Sequence, residues 1–137
     1  MKTRYEVQAI IFDEESGEKK AFLIHVYDPK TKKRTWRLVK GGIEKGETDE
    51  QALKREIMEE VTLADVQPIK KIYNYDFVHE DTHHMVASYL VKGNMSEKPK
   101  LNMDGSREII DSRWVSPKDA IRLLFWDNEK HVVGLLK

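Results

Sequence analysis

Residues 41–63 read Gly41-Gly-Ile-Glu-Lys-Gly-Glu-Thr-Asp-Glu-Gln-Ala-Leu-Lys-Arg-Glu-Ile-Met-Glu-Glu-Val-Thr-Leu63. Thr48 followed by Gln51 has the form of a reciprocal N-terminal cap, and the good helix formers after it predict a helix over 49–61. At about 100° per residue, Glu56, Glu59 and Glu60 share one helix face, while Leu53, Ile57 and Val61 form a separate apolar stripe. Ala52, one turn before Glu56, is small and is expected to leave the acidic edge open. Three carboxylates on one face repel one another, and a divalent cation turns that repulsion into binding. All-oxygen ligation suits Mg²⁺ or Mn²⁺, which in turn coordinate phosphate oxygens. For Glu59-Glu60 alone, a solvated acidic face is the plain alternative. The glycine-marked turns before the helix, and Arg55 placed to hold a carboxylate by a forked hydrogen bond, make the combination harder to obtain by chance.

Outward from this segment, residues 5–12 and 21–27 are rich in β-branched and aromatic side chains, with a turn-like 13–18 between them that predicts a hairpin. A polar loop at 28–33 and an extended stretch around Trp36 lead to Gly41-Gly42. Two more strands are expected over 69–78 and 85–91, and a further one over 109–115. Ser116-Pro117 opens a second helix over 118–125, and 129–136 is read as a third. Strands mixed with helices out of strict alternation give an α+β class, a mixed sheet covered by two or three helices.

With 137 residues and neither repeat nor linker, the chain is expected to form one domain over 1–137. The absence of Cys excludes disulfides, zinc-thiolate and iron-sulfur sites and thiol catalysis. No apolar run approaches the roughly 18 residues of a membrane span, and the first residues lack an apolar signal core. A cytoplasmic protein with no membrane partner is the expectation. The balance of 24 Lys+Arg against 24 Asp+Glu speaks against a stable nucleic-acid partner. That zero conceals segregation, since residues 1–40 carry +4, residues 41–65 carry −5 and the remainder +1.

The 41–63 segment resembles the Nudix box, G-x5-E-x7-R-E-U-x-E-E-x-G-U with U apolar. Gly41, Glu47, Arg55, Glu56, Ile57, Glu59, Glu60 and Leu63 match, and Thr62 stands where the family has Gly. Because a left-handed residue commonly ends a helix there, the substitution predicts a different helix end and altered loop geometry. The approach Trp36-Arg-Leu-Val-Lys-Gly-Gly and the late Arg113-Trp-Val-Ser-Pro-Lys-Asp-Ala120 look most like the dinucleoside-tetraphosphate hydrolase branch, although that branch usually has Pro where this chain has Val39. The resemblance implies an α/β/α sandwich and metal-dependent hydrolysis of a nucleoside diphosphate derivative by water attack on phosphorus.

Carried over residue by residue, it implies Glu56 and Glu60 as metal ligands, Glu59 as ligand or base, Arg55 as the orienting group and the backbone carbonyl of Lys40 as a further ligand. Glu47 is implied to support the loop or a more weakly held ion. Glu108 and Asp111 are candidates for a general base from outside the box, with an ordinary polar strand start as the alternative. Residues 30–40 hold six bases and no acid, and Arg37 and Lys40 are the candidates there for phosphate binding. Tyr73, Tyr75 and Phe77 alternate on one strand, open to base stacking or to packing. His79, His83 and His84 are placed around the next turn, open to phosphate contact or to a plain surface role. The implied partner is a small-molecule polyphosphate, handled by a monomer or homodimer. RNA 5′-pyrophosphohydrolase, diphosphoinositol-polyphosphate hydrolase, ADP-ribose hydrolase and non-catalytic nucleotide sensing stay open as alternatives.

Overall fold

The computed structural model describes residues 1–104 and 108–136. Strand β1 (Lys2–Glu15) pairs antiparallel with β2 (Glu18–Asp28) through a two-residue turn in which Ser16 and Gly17 both take positive φ. This is the expected hairpin, and its handedness matches the strand twist. Strand β3 (Lys33–Arg37) pairs with β2. Strand β4 (Val39–Gly42) pairs antiparallel with β1 and delivers the chain to helix α1 (Asp49–Val61). Strands β5 (Gln67–His79) and β6 (Thr82–Lys92) form a second hairpin, with β6 parallel to β1 along its other edge. Strand β7 (Glu108–Val115) pairs with β2 and leads to α2 (Pro117–Leu123) and α3 (Asp127–Gly134).

The seven strands follow the path β3-β2-β1-β6-β5, with β4 against β1 and β7 against β2. Alternation along β1 divides the core. Val7, Ala9 and Ile11 face α1 with Leu53, Ile57 and Val61, while Ile10 and Phe12 face α2 and α3 with Ala120, Val132 and Val133. A strand buried on both faces reads as a nearly continuous apolar run, as β1 does. The α+β sandwich is therefore confirmed, with helices on both sides of a mixed sheet. Among the described residues, no helix is long and apolar enough to cross a membrane.

Four details differ from the sequence expectations. Ala52 is fully buried rather than leaving the acidic edge open, because α1 lies close enough to the sheet for only a small side chain to fit. Helix α3 begins two residues early, at Asp127, where acidic residues favour a helix start. The β5–β6 turn is Glu80-Asp81, both at positive φ, so His83 and His84 lie in β6 on opposite faces of the sheet and not in a turn.

The fourth concerns Thr62, which ends α1 as a glycine would, at φ 57 and ψ 40, with its N–H donating to the carbonyls of Ile57 and Met58. Left-handed geometry costs a branched residue roughly 1–2 kcal/mol. Its hydroxyl donates to the Lys100 carbonyl at 3.1 Å, a bond worth about 1 kcal/mol that offsets much of the strain. Thr62→Val keeps the strain and loses the bond, and is expected to lower Tm by about 3 °C or more in calorimetry. Thr62→Gly, losing bond and strain together, is expected to stay within about 2 °C. A glycine variant as unstable as the valine variant would mean that the left-handed cost is absent.

Candidate active site

The site is assembled around one guanidinium. Arg55 Nε and Nη2 grip the Glu47 carboxylate at 2.6 and 2.8 Å. Its Nη1 donates to Glu56 at 2.8 Å and to Glu59 at 3.2 Å, and Nη2 also donates to the Gly42 carbonyl at 2.7 Å. Arg55 thus ties the acidic helix to the turn before it and to β4. The turn is fixed further by the Glu44 N–H donating to Glu47 at 2.8 Å, and Gly46 at φ +83 supplies the left-handed residue it needs. The capping box forms as expected, with Gln51 N–H donating to Thr48 Oγ1 and Thr48 N–H to Gln51 Oε1. A residue not anticipated from sequence pins the start of α1: the Tyr89 hydroxyl on β6 donates to Asp49, and burial followed by Asp49 pushes that phenol up to about 12.

Gly41 explains why the segment begins with glycine. A Cβ there would lie 2.0–2.3 Å from the carboxyl atoms of Glu56, so the carboxylate rests directly on the β4 backbone. Glu56 is 14% exposed against 56% for Glu59. Burial pushes the Glu56 carboxyl up, Arg55 opposes this, and the nearby Glu59 adds to it. Glu47 shows the reverse, since the hydrogen bonds from Arg55 and then from the Glu44 amide hold it well below the usual carboxylate range, at about 2. Among the described residues no three His, Asp or Glu side chains converge at metal-holding distance, and Arg55 engages the carboxylates of Glu56 and Glu59.

The remaining candidates are distributed over both faces of the sheet. Glu60 ends the acidic face, and its carbonyl accepts from Asn102 N–H, whose own carbonyl accepts from Ile109. That ladder brings the start of β7, with Glu108, beside the last turn of α1. Asp111 lies further along β7, its Oδ2 3.6 Å from Arg113. Arg37 is on the α1 side, its Nε donating to Thr35 at 2.7 Å, whereas the Lys40 ammonium is on the other side, 4.8 Å from the centre of the Phe77 ring. The two bases do not share one lip. Tyr75 is packed in a row between Tyr73 and Phe77, with burial pushing its phenol up. His83 pairs with Asp76 at 2.6 Å on the α1 side, beside a groove of about 330 Å³ that Asp76 lines with Tyr5, Ile43, Asp49 and Met85.

Sequence reading missed Arg4 and Glu6. The available signal was parity, because Glu6 and Gln8 break an apolar strand on the same face.

The NUDIX domain profile matches residues 2–135. The chain belongs to the NUDIX family. The Ap4A hydrolase of C. elegans, solved as a binary complex, superposes with a TM-score of 0.80 at 19% identity, covering 96% of this chain and 93% of that one. A NUDIX hydrolase of Nitrosomonas europaea gives 0.76 at 21%, covering 97% and 87%. The NUDIX domain of Shewanella oneidensis NrtR, complexed with ADP ribose, gives 0.71 at 14%, covering 98% and 86%. At these identities the likeness is one of fold. No curated protein matches by sequence. With the box assembled around Arg55, the chain is a Nudix pyrophosphohydrolase.

The Glu47–Arg55 pair has a signed pH signature. A carboxylate with a depressed folded pKa stabilises the fold above its unfolded value, and that contribution is lost as pH falls through the folded one. The Tm difference between wild type and Glu47→Gln is expected to be full above about pH 4.5 and to close as pH falls from there toward 2. A difference that stays constant over that window would contradict the pairing.

Proposed function

We propose that this Nudix enzyme hydrolyses a phosphoanhydride bond in a nucleoside polyphosphate, with dinucleoside polyphosphates as the leading substrates. The carrying observation is the Glu56 carboxylate seated on Gly41 and held by Arg55, with Glu59 on the same helix face. All the donors at this edge are oxygens, namely Glu56, Glu59, Glu60 and the Lys40 carbonyl. Such a set fits Mg²⁺, with Mn²⁺ as the alternative. When bound, the metal would neutralise anhydride oxygens and make water more acidic.

The chain's own residues then have separable roles. Arg55 keeps Glu56 and Glu59 aligned against β4. Glu108, beside the last turn of α1, is assigned as the base that accepts a proton from the attacking water. The water oxygen bonds to phosphorus, the bridging P–O bond breaks, and the second phosphate leaves on that bridging oxygen. Arg37 and Lys40 are assigned to the phosphates from opposite faces of the sheet, with Tyr75 as a more distant contact to the base and His83 as a more distant contact to phosphate. The reading takes residues 1–137 as one catalytic domain in the cytoplasm, working as a monomer or homodimer on a small molecule, without a membrane or stable nucleic-acid partner.

The test is turnover of a panel comprising dinucleoside polyphosphates, nucleoside triphosphates, 5′-triphosphorylated RNA, ADP-ribose and inositol pyrophosphates, with products identified. Dinucleoside polyphosphates with Mg²⁺ are expected to lead. Glu60→Gln and Glu59→Gln should each lower kcat by about 10²-fold or more with the fold intact. Gly41→Ala, whose methyl displaces the Glu56 carboxylate, should do the same. Undiminished hydrolysis in excess chelator contradicts the metal assignment, and a panel with no turnover favours a nucleotide-sensing domain.

A further inference from the structure

Strand β5 forms one edge of the sheet, and among the described residues only β6 pairs with it. An unpaired edge presents a row of backbone N–H and C=O groups that another strand can complete, and proteins guard such edges with proline, lysine and bulges. Here the guard covers only one half of the strand. Residues 67–72 hold Pro68, Lys70, Lys71 and both irregularities of the β5–β6 pairing, at Pro68/Lys70 and Lys71/Tyr73. Residues 73–79 carry neither proline nor lysine and keep an unbroken register with β6, from Tyr73 opposite Ser88 to His79 opposite Thr82. On this stretch Val78 is 60% exposed and the Asp76 side chain 59%.

The unguarded half is complementary to itself. A second copy laid antiparallel along this edge is related to the first by a two-fold axis normal to the sheet, so each residue meets its counterpart at equal distance beyond the axis. With the axis at Tyr75, Tyr73 of each copy lies opposite Phe77 of the other and Tyr75 opposite itself, and such cross-strand aromatic pairs stabilise a ladder. On the face toward α1, Asn74 lies opposite Asp76, whose carboxylate is paired with His83 at 2.6 Å and has acceptor capacity left for an amide N–H. At the ends, exposed Lys70 and Lys71 of each copy come beside the exposed Glu80-Asp81 turn of the other. Moving the axis one residue removes the match. At Asn74 it sets Asp76 against Ile72 and Phe77 against Lys71, and at Asp76 it sets two carboxylates face to face, which is destabilising.

We propose that residues 73–79 of β5 are the surface through which two copies of this chain associate, antiparallel about Tyr75, joining their sheets into one. The partner is a second copy because the strand matches itself: the lysine end of each finds the acidic turn of the other. A foreign strand of either net charge would meet both signs along the same edge. The inference stands independently of the hydrolase reading.

Sedimentation velocity of the full chain between about 1 and about 200 μM measures the association, and a contact of this size is expected to be transient, with Kd on the order of 10 μM. Asn74→Lys places an ammonium opposite Asp76 of the second copy, and Asn74→Asp places a carboxylate there. Each change occurs twice per dimer, so the first is expected to tighten association about 3- to 30-fold and the second to weaken it by a similar factor. Lys70→Glu combined with Lys71→Glu should weaken it as well. Circular dichroism should be unchanged throughout, and Lys118→Gln, at an exposed cation on α2, should associate as wild type does. A chain that stays monomeric at about 200 μM both as wild type and as Asn74→Lys overturns the proposal. So does a dimer indifferent to both Asn74 substitutions, because its contact then lies elsewhere.

Discussion

Everything at the acidic edge depends on the valence of Arg55. A guanidinium has five N–H donors in a rigid plane, and here they reach Glu47, Glu56, Glu59 and the Gly42 carbonyl. A lysine offers a point charge and cannot span that set. Because the partners come from a turn, a helix and a strand, the guanidinium fixes three backbone elements relative to one another. It also favours the charged form of Glu56, opposing the burial that pushes that carboxyl's proton affinity up.

The two adjacent glycines divide the work between faces of the sheet. Successive strand residues point to opposite sides, so Gly41 makes space for Glu56 on the α1 side and Gly42 makes space for Arg4 on the other. A strand without side chains at two consecutive positions is a thin partition. Charges on its two sides influence one another with little material between them, as Arg4 and Glu56 do.

What the sequence revealed was local. The Thr48-Gln51 cap, the acidic face of α1 and the Ser116-Pro117 helix start are set by residues within one or two turns of one another, and each formed where expected. The parts that stayed hidden depend on pairing across long separations. Arg37 and Lys40 look like one basic patch in sequence, but β3 and β4 place them on opposite faces. His83 and His84 could be assigned to faces only once the unusual Glu80-Asp81 turn fixed the β5–β6 register. Ala52 illustrates another limit, because how closely a helix approaches a sheet is not written in the helix's own periodicity.

Strand β1 carries a consequence for the order of folding. It runs 14 residues and joins β2 and β4 on one edge and β6 on the other. Its contacts with β2 close early on a nascent chain, while those with β6 span nearly 80 residues, as the Glu6–His84 bond does. Non-local parallel pairing is entropically costly and slow. Arg4 and Lys40 precede α1 in the chain, but the site closes only when β6 and β7 have left the ribosome, β6 bringing His84 beside Glu6 and β7 bringing Glu108 beside the last turn of α1. Both faces of the site are therefore completed late in synthesis, by strands far in sequence from β1.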